Sequence, residues 1–303
     1  MLLVTIMIPV PNPFTPKTGW EPKIIVGRDS DLEFFSRKLY EARRGRCDHF
    51  IVTGGWGMGK TSLLMKYKKI AETHHVFTSF VSINEFSRKN TDLDGVKYLI
   101  EQIPRRFPLP LAQLKNFMKE MKALDVEVIG RGLNFSAKVE GIHPQTLLTD
   151  VLLALWQDIQ EHSEAGVILL DDVQNFQPIN SLFTILKNVL TDEQIIKRTK
   201  FLFILSSVPA GWEKFLAKHH PIGRYFSPRI QLQKLNKADM KKVILANLED
   251  TGVEFEEEVI KRVIHHSEGN PYQLQQACAS LYDKQIGGKV SLIKKNEVED
   301  EIF

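Results

Sequence analysis

Residues 49–73, HFIVTGGWGMGKTSLLMKYKKIAET, join a short apolar run to a glycine-rich loop and then to a helical pattern. HFIVT reads as a buried strand. Gly54-Gly55-Trp56-Gly57-Met58-Gly59-Lys60-Thr61 satisfies G-x-x-x-x-G-K-[ST] in full. Four glycines permit positive φ angles, so the loop can curl and turn its N–H groups toward an anion. The helix that starts at Lys60, with Thr61 and Ser62 in its first turn, adds its positive end. Lys60 supplies a point charge to the outer phosphates of a nucleotide. The Thr61 hydroxyl supplies a ligand to Mg²⁺. Trp56 lies inside the loop; stacking on a base, packing on a neighbour and shielding the phosphates all stay open. The spacing does not choose between ATP and GTP.

A second polar site follows an apolar run. GVILL (166–170) ends in Asp171 and Asp172. After a phosphate-binding loop, an Asp at such a strand tip holds the metal directly or through water, which assigns Asp171 to Mg²⁺. Asp172 is the candidate base that polarises an attacking water. FLFILSS (201–207) ends in Ser206 and Ser207. A hydroxyl there can hydrogen-bond the γ-phosphate or the water, or simply start the turn before Pro209.

Around these motifs, strands alternate with helices as far as RIQLQKL (229–235). That order predicts an α/β fold with a mostly parallel five-stranded sheet and helices on both faces. In such sheets ligands sit at the carboxyl ends of the strands. VEVIGRGLNFSAKVE (126–140) alternates and reads as a hairpin, and 91–124 reads as helix broken by Pro104, Pro108 and Pro110. From Asn236, a predicted helix cap, only helices are expected. The expected division is an extended leader over 1–25, a nucleotide-binding core over 26–235 and a small helical domain over 236–303.

The 303 residues are 43% apolar and 25% charged, ordinary globular proportions that allow a sizeable core. A net charge of +3 permits an anionic partner without demanding one. Cys47 and Cys278 stand far apart and in no metal-ligand spacing, which excludes a disulfide framework and points to a reducing, cytoplasmic setting. The opening MLLVTIMIPV is too short to span a bilayer and lacks a cleavage site. It reads as an edge strand or as a mis-assigned start, with Met7 the alternative. No membrane association is expected.

Together, NPFTP, VGRDSDL, the loop, the strand ending Asp171-Asp172-Val173-Gln174, SSVP, RYF and GNPY resemble the AAA+ ATPases with an origin-recognition-complex-like domain, of the prokaryotic stand-alone type. More loosely, they resemble the STAND signalling ATPases. The resemblance covers 10–300. It implies ATP and Mg²⁺ as cofactors, slow hydrolysis and a nucleotide-driven switch or assembly role. It places Val26, Gly27 and Arg28 against the adenine and Pro271 in a lid that closes over the nucleotide. It makes Asn84 a relay of ligand status and Ser206 or Ser207 the first sensor. Arg224 becomes an arginine that reaches a γ-phosphate in the same or a neighbouring subunit, with Arg229 near enough to serve instead. Two departures stand out. Asp172 replaces the Glu of many relatives, and Tyr272-Gln273 stand where the lid usually carries an Arg.

A homo-oligomer and an unidentified DNA or protein partner stay open. An initiator-like or transposition-regulator-like ATPase is the alternative, on the hairpin with Arg131 and Lys138 and on the pairs Arg105-Arg106 and Lys294-Lys295. A winged helix after the lid is not expected. A small-molecule kinase would need an acceptor pocket and an arginine-bearing lid, which the helical end does not suggest.

Overall fold

The computed structural model describes residues 11–16, 21–83, 91–107, 126–129, 132–135, 143–176, 182–218, 221–285 and 292–293. The chain divides into two compact units. One is formed by Ser30–Gly55 and Leu64–Gln231, the other by Met1–Asp29, Trp56–Leu63 and Leu232–Phe303.

The first unit is built on a sheet. Its strands are β1 (Phe50–Thr53), β2 (Phe77–Ser82), β5 (Gly166–Asp171), β6 (Phe201–Ser207) and β7 (Arg229–Gln231), in the order β2-β5-β6-β1-β7. Every neighbouring pair is parallel. FIVT, GVILLD and FLFILSS are buried along their whole length, which is why they read as unbroken apolar runs instead of alternating ones. Helices α3 (Asp92–Arg106), α4 (Pro144–Ile159) and α5 (Leu182–Leu190) share one core with the sheet through Val96, Leu155, Leu186 and Phe203. The hairpin expected over 126–140 is present as the antiparallel strands β3 (Val126–Ile129) and β4 (Gly132–Phe135).

Helix α3 starts at a capping box between Thr91 and Asp94, and it runs through Pro104 to end before Pro108. The expected break at Pro104 does not occur. So near the C-terminus the proline removes one N–H but leaves most of the ladder intact, and the Ile103 carbonyl accepts the Ser79 hydroxyl at 2.9 Å.

The second unit is mainly helical. Helices α9 (Lys237–Leu248), α10 (Glu257–Ser267) and α11 (Pro271–Gln285) bury Ile244, Val263 and Leu281 against one another. Asn236 caps α9 as expected, its Oδ1 accepting from the Asp239 amide at 2.8 Å. A two-residue parallel ladder, β8 (Glu254–Phe255) with β9 (Leu292–Ile293), adds the one feature here that helix periodicity did not announce among the described residues. The leader is tacked to α11. Asn12 Nδ2 donates to the Ala279 carbonyl at 3.0 Å, and the Phe14 ring stacks on Phe255 at 6.1 Å. Among the described residues no helix is long and apolar enough to cross a membrane.

One titrating group sits beside the central strands. His49 Nδ1 accepts the Phe203 amide at 3.1 Å, and the ring packs between Phe203 and Phe226. Burial pushes its imidazolium down to about 4. An unfolded histidine titrates near ~6.5, so the unfolded chain takes the proton first. The neutral-histidine contribution is therefore complete above that value and is lost as pH falls through about 4. The loss amounts to about 3 kcal/mol at most. In urea unfolding between neutral pH and the folded value, the native chain should lose more stability than His49→Gln by about 2–3 kcal/mol. Equal losses would show that His49 is not the group responsible.

Candidate functional site

The loop departs from the end of β1, which lies between β6 and β7. The Gly54 amide still bonds the Ser207 carbonyl at 3.3 Å, so sheet pairing persists to the first loop residue. Helix α2 (Lys60–Thr73) begins where the loop ends. Gly57 and Gly59 have φ of 74° and 85°, the left-handed region that only glycine enters freely.

Three successive loop carbonyls are held from outside. Asn270 Nδ2 donates to the Trp56 carbonyl at 3.1 Å. The Tyr272 amide donates to the Gly57 carbonyl at 3.2 Å. Arg28 Nη2 donates to the Met58 carbonyl at 3.4 Å and to the Gln233 carbonyl at 2.8 Å. In a trans peptide the N–H points opposite to the C=O. The amides of Gly57, Met58 and Gly59 are thus turned away from these donors, and none of the three meets an acceptor among the described residues. Met58 as a residue is only 8% exposed. Lys60 follows at once, only 6% exposed, with its ammonium 5.7 Å from the Trp56 ring. Trp56 itself is 72% exposed. Thr61 and Ser62 occupy the first turn of α2.

The residues read as an adenine contact lie in the unit that also holds the loop. Val26 packs on the helical core, and Gly27 lies against Asp239 and Leu235 at the start of α9. Arg28 is spent on main-chain carbonyls. Pro271 opens α11 directly after Asn270, whose Oδ1 caps that helix by accepting the Tyr272 and Gln273 amides at 2.9 and 3.3 Å. Asn270 was not singled out from the sequence. Its signal was an asparagine before a proline at a helix start, the pattern of a cap.

In the sheet unit the strand tips carry the acids. Asp171 ends β5 and is 1% exposed. Ser206 donates its hydroxyl to Asp171 Oδ1 and accepts the Asp172 amide at 3.0 Å. Ser206 is therefore the brace between the two strand tips, and Ser207 bonds the neighbouring Val208 carbonyl instead. Asp172 has φ 57°, which turns the chain sharply off the strand. Gln174 steadies it, donating to Asp172 Oδ1 at 3.0 Å while its own carbonyl accepts the Val208 amide at 3.2 Å. Sequence reading placed Gln174 in the motif that ends the strand and gave it no role of its own.

Of the two arginines weighed for phosphate contact, Arg229 is engaged. Its Nε donates to Thr53 Oγ1 at 2.9 Å and its Nη1 pairs with Glu213. Arg224, in the short helix α8 (Ile222–Tyr225), is exposed and pairs with nothing among the described residues. Arg105 is paired with Glu101 at 2.8 Å and Arg106 with Gln102 at 3.4 Å on their own helix. Asn84, Arg131, Lys138, Lys294 and Lys295 lie outside the described residues. Both cysteines are free, and burial raises the Cys47 thiol to about 12, so neither the pairing nor the reactivity of a redox site is present there.

A parallel sheet whose first strand runs into this loop and whose acids stand at a strand tip is the fold of a P-loop NTPase. Residues 39–207 match the KAP family P-loop domain, more than half of the chain, and the chain belongs to that family. No curated protein matches it in sequence. Among solved structures it is similar to the Aeropyrum pernix ORC2 protein in ADPNP-ADP complexes, at TM-score 0.65 and 14% identity over 93% of this chain and 68% of that one. It is also similar to the Aeropyrum pernix ORC1 protein in complex with DNA, at 0.57 and 12% over 93% and 66%. A Thermotoga maritima RuvB mutant follows at 0.53 and 14% over 92% and 71%. The chain spans about two thirds of the length of the two ORC structures. At such identity the likeness is one of fold.

The two left-handed glycines differ in their surroundings. A β-carbon at Gly57 would lie 2.6 Å from Asn270 Oδ1 and 2.7 Å from Tyr272 Cβ, whereas one at Gly59 would meet nothing within 4 Å. Gly59→Ala should cost only the backbone strain, about 1–2 kcal/mol. Gly57→Ala should cost more, because α11 must also retreat. Thermal unfolding of the two variants side by side checks the order, and equal costs would contradict it.

Proposed function

We propose that the chain binds ATP with Mg²⁺ and hydrolyses it slowly, as a nucleotide-driven switch or assembly ATPase. The observation that carries this reading is the row of three amides, Gly57, Met58 and Gly59, with no acceptor among the described residues and with Lys60 next in the chain. Such a row beside a helix N-terminus suits a polyphosphate.

The residues fit the metal as well. Among the described residues no group of three or more His, Cys, Asp or Glu could hold an ion alone. Mg²⁺ keeps most of its waters and takes one or two protein oxygens beside phosphate, and Thr61 and Asp171 are the proposed donors. When bound, the ion neutralises charge on the outer phosphates. Lys60 does the same from the protein side. The Ser206 hydroxyl, bonded to Asp171 Oδ1, orients that carboxylate. Asp172, held by Gln174, is proposed to take up the proton of the attacking water. An Asp is one methylene shorter than Glu, which favours slow turnover and a long-lived ATP state, as the STAND resemblance implies. ATP is preferred over GTP because the similar ORC2 structure holds ADPNP and ADP. With no described partner, Arg224 is the arginine proposed to reach a phosphate in a neighbouring copy. Val26, Gly27, Arg28 and Pro271 keep their proposed place around the nucleotide, Arg28 through the loop carbonyl it holds.

Lys60→Ala should abolish MgATP binding by calorimetry. Asp172→Asn keeps an acceptor for Gln174 and tolerates a left-handed backbone, so it should bind MgATP normally and lose hydrolysis by about a hundredfold or more. Unchanged affinity in Lys60→Ala, or unchanged turnover in Asp172→Asn, would sink the corresponding role.

The second reading is a DNA-associated ATPase, which the likeness to ORC1 in complex with DNA favours. The pairing of Arg105 and Arg106 along their own helix weakens that cluster as a phosphate contact. DNA binding by this chain should fall steeply with added salt. A flat salt curve, or no binding at low salt, would remove this reading.

A further inference from the structure

We propose that Asn270 is a positioning residue for the phosphate cradle: its side-chain amide holds the Trp56 carbonyl so that the Gly57 N–H faces bound phosphate, while its carbonyl caps α11. The inference rests on the nucleotide reading above and goes beyond it by naming a residue outside the loop that sets the loop's donors.

Two observations carry it. The first is the orientation of the amide, which its partners dictate. Oδ1 meets two N–H groups, from Tyr272 at 2.9 Å and Gln273 at 3.3 Å, so only the nitrogen end can face the Trp56 carbonyl at 3.1 Å. An asparagine has both an acceptor and donors, and this site uses each. The second is the neighbouring bond. The Tyr272 amide, itself placed by the Asn270 cap, donates to the Gly57 carbonyl at 3.2 Å and turns the Met58 N–H the same way. One side chain thus directs two consecutive loop peptides. The close fit of Gly57 to Asn270 and Tyr272 leaves no room for a side chain between them.

The consequence is preorganisation. A loop with four glycines has many backbone states to lose on binding. Donors that already hold its carbonyls remove part of that loss before the nucleotide arrives. The start of α11 and the loop are bound to one another through main-chain and side-chain amides, so phosphate held by the loop also holds the start of α11.

Asn270→Ser separates the two duties. Serine caps a helix about as well as asparagine, carries no charge and is too short to reach the Trp56 carbonyl. Calorimetric titration of the full chain with MgADP should give an affinity about tenfold weaker than the native chain. Its unfolding midpoint without nucleotide should change little. In hydrogen exchange, MgADP should protect the Gly57 amide less in the variant than in the native chain. Asn270→Thr provides the same test should the serine variant fold poorly. Native-like MgADP affinity in the folded variant, with native binding present and Lys60→Ala binding absent, would overturn this inference alone. A native chain that binds no MgADP would overturn the nucleotide reading and this inference together.

Discussion

A strand buried on both faces can carry polar chemistry only at its ends, and the parallel ladder of β1, β5 and β6 makes that constraint felt throughout the sheet unit. The registers bring Val52 opposite Ser206 and Thr53 opposite Ser207, and Leu170 opposite Leu205. The polar side chains at these strand ends, Thr53, Ser206, Ser207 and Asp171, therefore gather along one edge. At that edge the unsatisfied groups must find one another. Ser206 settles two of them at once, through the Asp171 carboxylate and the Asp172 amide. Thr53 is settled by Arg229 and the Ile230 carbonyl. A buried carboxylate such as Asp171 is costly without hydrogen bonds, and the Ser206 hydroxyl supplies one.

The helical unit meets a related constraint in main-chain form. Gly57 and Gly59 leave the loop free to take many shapes, and a wandering loop is a poor receptor. The unit restrains the loop through carbonyls, leaving the amides open. Arg28, Asn270 and the Tyr272 amide each take one carbonyl, and none takes an N–H. This division of the peptide group is the feature that suits the loop to an anion. It also gives a purpose to Arg28, which is 7% exposed and would be expensive to bury without acceptors.

Membership in the KAP family of P-loop domains and likeness to ORC and RuvB structures agree on the sheet and on the loop. The resemblance drawn from the sequence would put an arginine at Tyr272-Gln273. In this chain position 272 contributes its main-chain amide to Gly57, and its side chain is left exposed.

Much of this was legible in the residues. Unbroken apolar runs announced strands buried on both faces, and the parallel sheet followed from their alternation with helices. The glycine spacing and Lys60 announced the loop, because positive φ angles and a helix start are local requirements that local sequence must meet. The caps at Asn236 and the hairpin at 126–135 were legible for the same reason. The break at Pro104 was misjudged, since a proline near a helix end costs little there. The partnerships of Ser206 with Asp171, of Arg28 with Met58 and Gln233, and of Asn270 with Trp56 join residues separated by 35, 30 and 205, and 214 positions. No periodicity encodes such distances. Sequence by itself determined which groups must be strands, loop and acid, because each of those is a property of neighbouring residues. Tertiary structure alone decided which hydroxyl steadies the acid and which amides hold the loop, because a hydrogen bond depends on where the folded chain has brought its two ends.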